Sequence, residues 1–200
     1  MNKTTQSKWL IPGIIGGVLL LFILIVVGGY NGLVTKRENV RKSLANVQTQ
    51  YQRRSDLVPN LVSTVKGAAN FEQDTLTKVV EARSKATSIQ VDPNKISAEQ
   101  LKTYQAAQGE LGGALSRLLA ITENYPQLKA VQGFQDLQVQ LEGTENRIAV
   151  ARKDFNDASN TYNTSIQKFP TNITASIFGF KEFPYFQADA GADKAPAVKF

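Results

Sequence analysis

The chain of 200 residues contains no cysteine and no histidine. These absences exclude a disulfide framework, Cys–His and Ser–His nucleophiles, and metal sites built on either ligand. Two enzymatic routes remain. One is a Ser–Lys dyad, for which the scattered serines and lysines offer no strand-to-helix turn, and the other is a carboxylate pair such as Glu142 with Glu145 or Asp154 with Asp157. A spacing of three residues is nevertheless more typical of a solvated helix face than of a hydrolytic pair. We therefore expect no enzymatic activity, no cofactor and no metal.

Charge is absent from residues 9–35, and residues 10–27 within this stretch are almost entirely apolar. A helix rises 1.5 Å per residue, so about 20 apolar residues cross the hydrocarbon core of a bilayer. The apolar run exceeds the roughly 7–15 residues of a signal-peptide core, and no A-x-A cleavage site follows it. We predict a short tail over residues 1–8 and an uncleaved transmembrane helix over residues 9–29.

Basic residues are concentrated just after this span. Residues 30–66 hold seven basic and two acidic side chains, whereas residues 67–200 are close to neutral. By the positive-inside rule, this bias predicts that the domain after the span is cytoplasmic. The same basic residues would attract anionic lipid. Nucleic acid is not an expected partner, because no aromatic and basic recognition motif is present. The candidate lipid-facing basic residues are Lys36, Arg37, Arg41 and Lys42.

Apolar residues at alternating steps of four and three dominate the rest of the chain, which is typical of helices that pack on other helices. The first such seam passes through Pro59 in phase, so we predict one kinked helix to about residue 69. Its positions are Val40, Leu44, Val47, Tyr51, Arg54, Val58, Leu61, Val65 and Ala68.

Three further helices are predicted. The second follows a capping box that starts at Asn70, and the third follows a loop over residues 88–96 and a capping box that starts at Ser97. The fourth is the longest and stops at Pro170. Their core positions are Leu76, Val79, Val80 and Ala86 in the second, Leu101, Tyr104, Leu111, Leu115, Leu118 and Thr122 in the third, and Phe134, Leu137, Leu141, Thr144, Ile148, Ala151, Phe155, Ala158, Tyr162, Ile166 and Phe169 in the fourth.

These helix lengths favour an all-α fold in which the transmembrane helix continues into an antiparallel up-down-up-down bundle over residues 30–170, with long first and last helices. Residues 171–186 are rich in aromatics and are expected near the membrane or at a subunit contact. We expect residues 187–200 to form a flexible tail. The candidate lipid-facing aromatics are Phe178, Phe180, Phe183, Tyr185 and Phe186.

Arg54 occupies a seam position where leucine would be expected. An internal ion pair with a glutamate such as Glu123 or Glu145 is the favoured explanation, because an unpaired buried charge is costly. A contact between subunits and an anion site are the alternatives.

Several blocks resemble the LemA family of bacterial membrane proteins. They include Arg53-Arg54-x-Asp56-Leu57-Val58-Pro59-Asn60-Leu61-Val62, Glu123-x-Tyr125-Pro126 and Glu145-x-x-Ile148. The resemblance implies a short N-terminal tail, one span and an antiparallel helical bundle, and it supplies no catalytic residues. The candidate structural or contact residues are Arg53, Arg54, Asp56, Pro59, Asn60, Glu123, Tyr125, Pro126 and Glu145.

Three functions are compatible with these features. The leading hypothesis is a non-enzymatic scaffold that is anchored in the bacterial cytoplasmic membrane and forms homo-oligomers. The alternatives are a lipid-binding or membrane-shaping module and an accessory subunit of a membrane protein such as a protease.

Overall fold

The computed structural model describes residues 7–67 and 72–188, with side chains from residue 12 onward. These residues form helices and connecting segments, and no strand occurs among them. The helices in chain order are α1 Ser7–Lys66, α2 Gln73–Ser88, α3 Ala98–Thr122, α4 Pro126–Lys129, α5 Gln132–Gln167 and α6 Thr171–Phe178.

Helix α1 runs for 60 residues without interruption and includes the exposed Pro59. The prediction of one helix rather than two is therefore confirmed. Every seam position from Val40 to Val65 is buried, including Arg54, while Ala68 lies outside the described residues. The alternation of four and three residues thus identified the buried side of this helix correctly.

Helix α2 differs from its prediction at two places. It begins at Gln73, and its N-cap residue Glu72 makes no side-chain capping bond. The predicted cap Asn70 lies outside the described residues. Val80 is 50% exposed, so its assignment to the core was wrong. Each residue turns a helix by about 100°, which carries Val80 away from the side that buries Val79.

Helix α3 begins as the sequence predicts. The Ser97 side chain accepts a hydrogen bond from the Gln100 backbone at 3.1 Å, and the Gln100 side chain accepts one from the Ser97 backbone at 3.1 Å. This reciprocal pair satisfies two backbone N–H groups that a helix start otherwise leaves without partners. All six predicted core positions of α3 are buried. The following turn contains the short helix α4, with Pro126 in its first turn.

Helix α5 buries most of its predicted seam, but Phe169 is 80% exposed. The helix ends at Gln167, so Phe169 lies beyond it and does not continue the helical periodicity. Helix α6 was not predicted. It ends at Gly179, whose φ of 68° is left-handed, and the Phe180 N–H donates to the carbonyl of Ala175 at 3.0 Å. Glycine adopts this conformation without the steric cost that other residues incur.

The described chain divides into two compact units. The first comprises residues 7–40 and 158–182, and the second comprises residues 41–67, 72–157 and 183–188. The second unit contains a continuous apolar core drawn from α1 to α5. The buried members of this core are Val58, Leu61, Val62, Val65, Leu76, Val79, Ala86, Leu111, Leu115, Leu118, Leu128, Phe134 and Leu141.

Candidate functional site

A buried arginine lies at the centre of the second unit. Arg54 is 3% exposed, and its Nη1 donates to Oε1 of Glu145 at 2.8 Å. Its Nη2 donates at 2.8 Å to both the carbonyl oxygen and the side-chain oxygen of Gln108. The guanidinium also lies over the ring of Tyr51, 5.2 Å from the centroid. We call Arg54, Gln108, Glu145 and Tyr51 the Arg54 cluster.

Gln108 accounts for the presence of arginine at a seam position where leucine would be expected, because it accepts hydrogen bonds from Arg54. Its side-chain nitrogen donates to the carbonyl oxygen of Ala86 at 3.2 Å, so Gln108 connects α3 to the end of α2. Gln108 follows Tyr104 by four residues and precedes Leu111 by three, which places it in the α3 seam. A polar residue in the middle of this second seam was the signal that could have identified it. Arg54 and Gln108, the polar residues in the α1 and α3 seams, are therefore hydrogen-bonded to each other.

The ion pair is the internal one that the sequence favoured. Glu145 is the partner, and its side chain is 47% exposed, whereas Glu123 lies at the exposed C-terminal end of α3. Both Nη groups of Arg54 are thus occupied by protein acceptors, and its buried Nε makes no hydrogen bond with the described residues. The hydrogen bonds of the cluster connect α1, α2, α3 and α5.

An open cavity of about 1030 Å³ adjoins the Arg54 cluster. Small residues form much of its α3 wall. A Cβ atom added at Gly112 would come within 3.3 Å of Arg54 Nη1. Lys102 and Arg152 add positive charge to the lining. The small residues of this wall are Ala106, Gly109, Gly112, Gly113 and Ser116.

Four further members of the specific sequence block lie on the exposed side of α1, whereas Val58, Leu61 and Val62 belong to the buried core. Arg53, Asp56, Pro59 and Asn60 are all exposed. The side chain of Gln52 donates to Asp56 at 2.7 Å. The structure does not bring these residues to Arg54, so the block contains one buried part and one outward part. Tyr125 is partly buried against the apolar core, and Pro126 begins α4.

In the first unit, the candidate lipid-facing residues near the end of the apolar run make hydrogen bonds or ring contacts with neighbouring side chains. Lys36 Nζ donates to Ser165 Oγ at 2.5 Å, and the Arg37 guanidinium lies 5.2 Å from the centre of the Phe180 ring. Phe178 is 52% exposed, and its ring centre is 4.8 Å from that of Tyr30.

The remaining candidates belong to the second unit, where Lys42 is exposed, Arg41 and Phe183 are partly buried, and Tyr185 is 38% exposed. Phe186 is 5% exposed and packs on Phe155 with ring centres 5.3 Å apart. Its assignment as lipid-facing was therefore wrong.

Two hydrogen bonds with Asn156 hold Phe186 in its buried position. The Phe186 N–H donates to Asn156 Oδ1 at 2.9 Å, and Asn156 Nδ2 donates to the Phe186 carbonyl at 3.0 Å. The Gln187 carbonyl accepts from Gln105 at 2.9 Å and from Arg152 at 2.7 Å. Gln187, the first residue of the predicted tail, is thus tied to α3 and α5, and residues 189–200 lie outside the described part.

The apolar part of α1 has the surface of a membrane anchor. Among the described helices, α1 alone has a segment long and apolar enough to cross a membrane. Its large apolar side chains between Ile14 and Val27 are 43–65% exposed, apart from the partly buried Val26. Such a continuous exposed apolar surface is unfavourable in water and indicates membrane anchoring.

Comparison with known proteins identifies the family of this chain. The profile of the LemA family matches residues 43–200. The chain is 31% identical to magnetosome protein MamQ 2 of Paramagnetospirillum magneticum, over 88% of this chain and 71% of that protein. It is 30% identical to magnetosome protein MamQ of Magnetospirillum gryphiswaldense over the same shares. Protein LemA of Metamycoplasma hominis is 27% identical over 84% of this chain and 73% of that protein. The chain with the apolar helix and the Arg54 cluster therefore belongs to the LemA family.

Proposed function

We propose that this protein is a non-enzymatic scaffold anchored in the bacterial cytoplasmic membrane, with an antiparallel helical bundle on the cytoplasmic side that assembles with further copies. The main support for the proposal is that α1 has an exposed apolar surface in one part and a buried core seam in another. Residues 14–27 expose an apolar surface, and the positions from Val40 to Val65 bury a core seam of the same uninterrupted helix. One helix thus supplies both the anchor and the core of the folded domain.

The lack of histidine and cysteine supports a non-enzymatic role, because the commonest nucleophile and metal chemistries need them. The Arg54 cluster is consistent with this role, since its arginine donates its Nη hydrogens to protein acceptors. Two of the relatives reported above are named magnetosome proteins. From these names we infer only a membrane-associated role of unspecified kind.

The outward face of α1 is the assembly surface in this proposal. Arg53 and Asp56 are both exposed and three residues apart, so they lie on the same side of the helix. A patch that carries one positive and one negative group is self-complementary, as a twofold contact between identical chains requires. In such a contact, Arg53 of each copy meets Asp56 of the other.

Charge exchange tests this surface. Arg53→Asp and Asp56→Arg should each reduce the oligomer fraction of the full-length protein in detergent, because each places like charges opposite one another. The double variant R53D/D56R should restore it. Lys153→Asp is the control, since Lys153 is an exposed residue of α5 whereas the patch lies on α1. Equal oligomer fractions for the single and double variants would reject this assembly surface.

The cytoplasmic location has its own test. Because the chain lacks cysteine, Ser63→Cys introduces a single thiol at an exposed position of α1. A maleimide that cannot cross membranes should leave this thiol unlabelled in intact spheroplasts and label it after lysis. Labelling before lysis would place the domain on the opposite side.

A further inference from the structure

Helix α6 and Phe169, two residues before its start, expose apolar side chains. Phe169 is 80% exposed, Ile173 39% and Ile177 61%. The spacing of four residues from Ile173 to Ile177 places both on one side of the helix. No charged residue occurs in residues 169–180. The first unit of the protein therefore has a second exposed apolar surface, in addition to residues 14–27 of α1.

The opposite side of α6 packs on α1 near the end of the apolar run. Thr174 and Ala175 are buried, and a Cβ atom added at Gly29 would meet Thr174 Oγ1 at 3.0 Å. The ring of Tyr30 contacts the ring of Phe178 with centres 4.8 Å apart. Tyr30 follows Val27 by three residues, or about 4.5 Å of helix rise. If α1 crosses the bilayer, α6 lies at the depth where tyrosine rings favour the boundary between headgroups and acyl chains.

Basic side chains border this surface. Lys168 and Lys181 are exposed and flank the uncharged segment directly. Lys36 and Arg37 follow the apolar run on α1, and Arg37 contacts Phe180. The acidic groups on these neighbouring segments are fewer, Glu38 and Glu182. An apolar stripe with basic flanks is the pattern of a helix that lies in the plane of a membrane with anionic lipids.

We propose that α6 is an interfacial helix that inserts Phe169, Ile173 and Ile177 into the bilayer leaflet where the apolar run of α1 ends. Lys168 and Lys181 then lie among the lipid phosphates. This inference rests on the proposed membrane anchoring. The bilayer is the occupant because the α6 surface lies beside the exposed apolar surface of α1, and because the flanking cations complement anionic headgroups. Contact at α6 gives the protein a second attachment to the membrane besides its span.

Tryptophan fluorescence in lipid vesicles tests the inference. Trp9 is the single tryptophan of the chain and precedes the apolar run. The full-length variant W9F/I177W therefore reports on α6 alone. The matched control W9F/V139W carries tryptophan at an exposed valine of α5 in the second unit. The probe is a vesicle of zwitterionic and anionic phospholipid that carries bromine atoms near the glycerol end of the acyl chains, because bromine quenches only tryptophan that enters the bilayer.

We expect the tryptophan at 177 to emit at shorter wavelength and to lose most of its fluorescence in brominated vesicles, while the tryptophan at 139 is unaffected. Emission at shorter wavelength without quenching would show that a second copy or another protein segment covers α6, and would overturn the inference. Equal behaviour at 177 and 139 would overturn it as well. The wild-type protein separates the two proposals, because quenching of Trp9 reports insertion of the span independently of α6.

Discussion

The Arg54 cluster makes the sharpest prediction about stability. Arg54→Leu removes a buried charge but leaves the side-chain oxygen of Gln108 without its donor. A buried acceptor without a partner costs about 1–3 kcal/mol. Arg54→Glu retains a charge at the 3% exposed position and places it against Glu145. Breaking a buried pair in this way costs about 3–5 kcal/mol.

The double variant R54L/Q108L separates these causes. It removes the arginine together with the acceptor that the single substitution leaves unsatisfied. Replacement of both partners by apolar groups of similar shape can be close to neutral. Relative to Arg54→Leu, the additional loss is the donor to the carbonyl of Ala86, which was 3.2 Å away. The double variant should therefore be more stable than Arg54→Leu, and the order of stability should be wild type, double variant, Arg54→Leu, Arg54→Glu.

Thermal unfolding of the full-length protein in detergent, followed by circular dichroism of its helices, measures this order. In a chain of this size, 1 kcal/mol corresponds to roughly 2–4 °C in Tm. Arg54→Glu should thus lower the Tm by about 6–20 °C. Unfolding of Arg54→Glu at the wild-type temperature would refute the buried pair. A double variant less stable than Arg54→Leu would refute the role assigned to Gln108.

Three further predictions concern α3 and α1. Gly113→Ala should raise stability by about 0.5–1 kcal/mol, since no atom lies within 4 Å of the added Cβ. Gly112→Ala should gain less stability, because its Cβ would lie 3.3 Å from Arg54. The Tm values of the two variants test this difference. Burial raises the pKa of Tyr104 above its ordinary value of 10.0. As the pH rises, Tyr104 therefore ionises first in the unfolded chain. The contribution of Tyr104 to the free energy of unfolding is present below about pH 10 and declines above it. Tyr104→Phe should flatten this decline when urea unfolding is measured at pH 9–11. A Gly/Ser linker inserted after Val34 should preserve membrane localisation but reduce the oligomer fraction, because it interrupts the continuous α1; an unchanged oligomer fraction would contradict a role for this continuity.

Helical periodicity predicted the long elements well. The α1 seam alternates steps of four and three residues, and the α3 seam does so once Gln108 is included. The described positions of both seams are buried, because packing on one side of a helix imposes that spacing. The start of α3 was also predictable, since the Ser97 and Gln100 side chains satisfy local backbone groups. Such features depend on residues that are close in the chain.

Features that depend on distant residues were not predictable in the same way. The interior position of Phe186 follows from Asn156 and Phe155, which lie about thirty residues away in sequence. An aromatic cluster alone does not indicate whether a ring meets lipid or protein. Helix α6 has only eight residues, too short for periodicity to identify it. Gln108 was overlooked because the sequence does not show that its position in the α3 seam faces Arg54 of α1.

The mass of the full-length protein extracted in mild detergent tests the central claim of a self-assembling membrane scaffold most directly. Native mass spectrometry, with lipid and detergent removed in the gas phase, counts the copies in each particle. A scaffold predicts particles that contain two or more copies of the chain and that dissociate in the Arg53→Asp variant. A strict monomer at all protein concentrations, without any co-purifying partner, would contradict the proposed assembly.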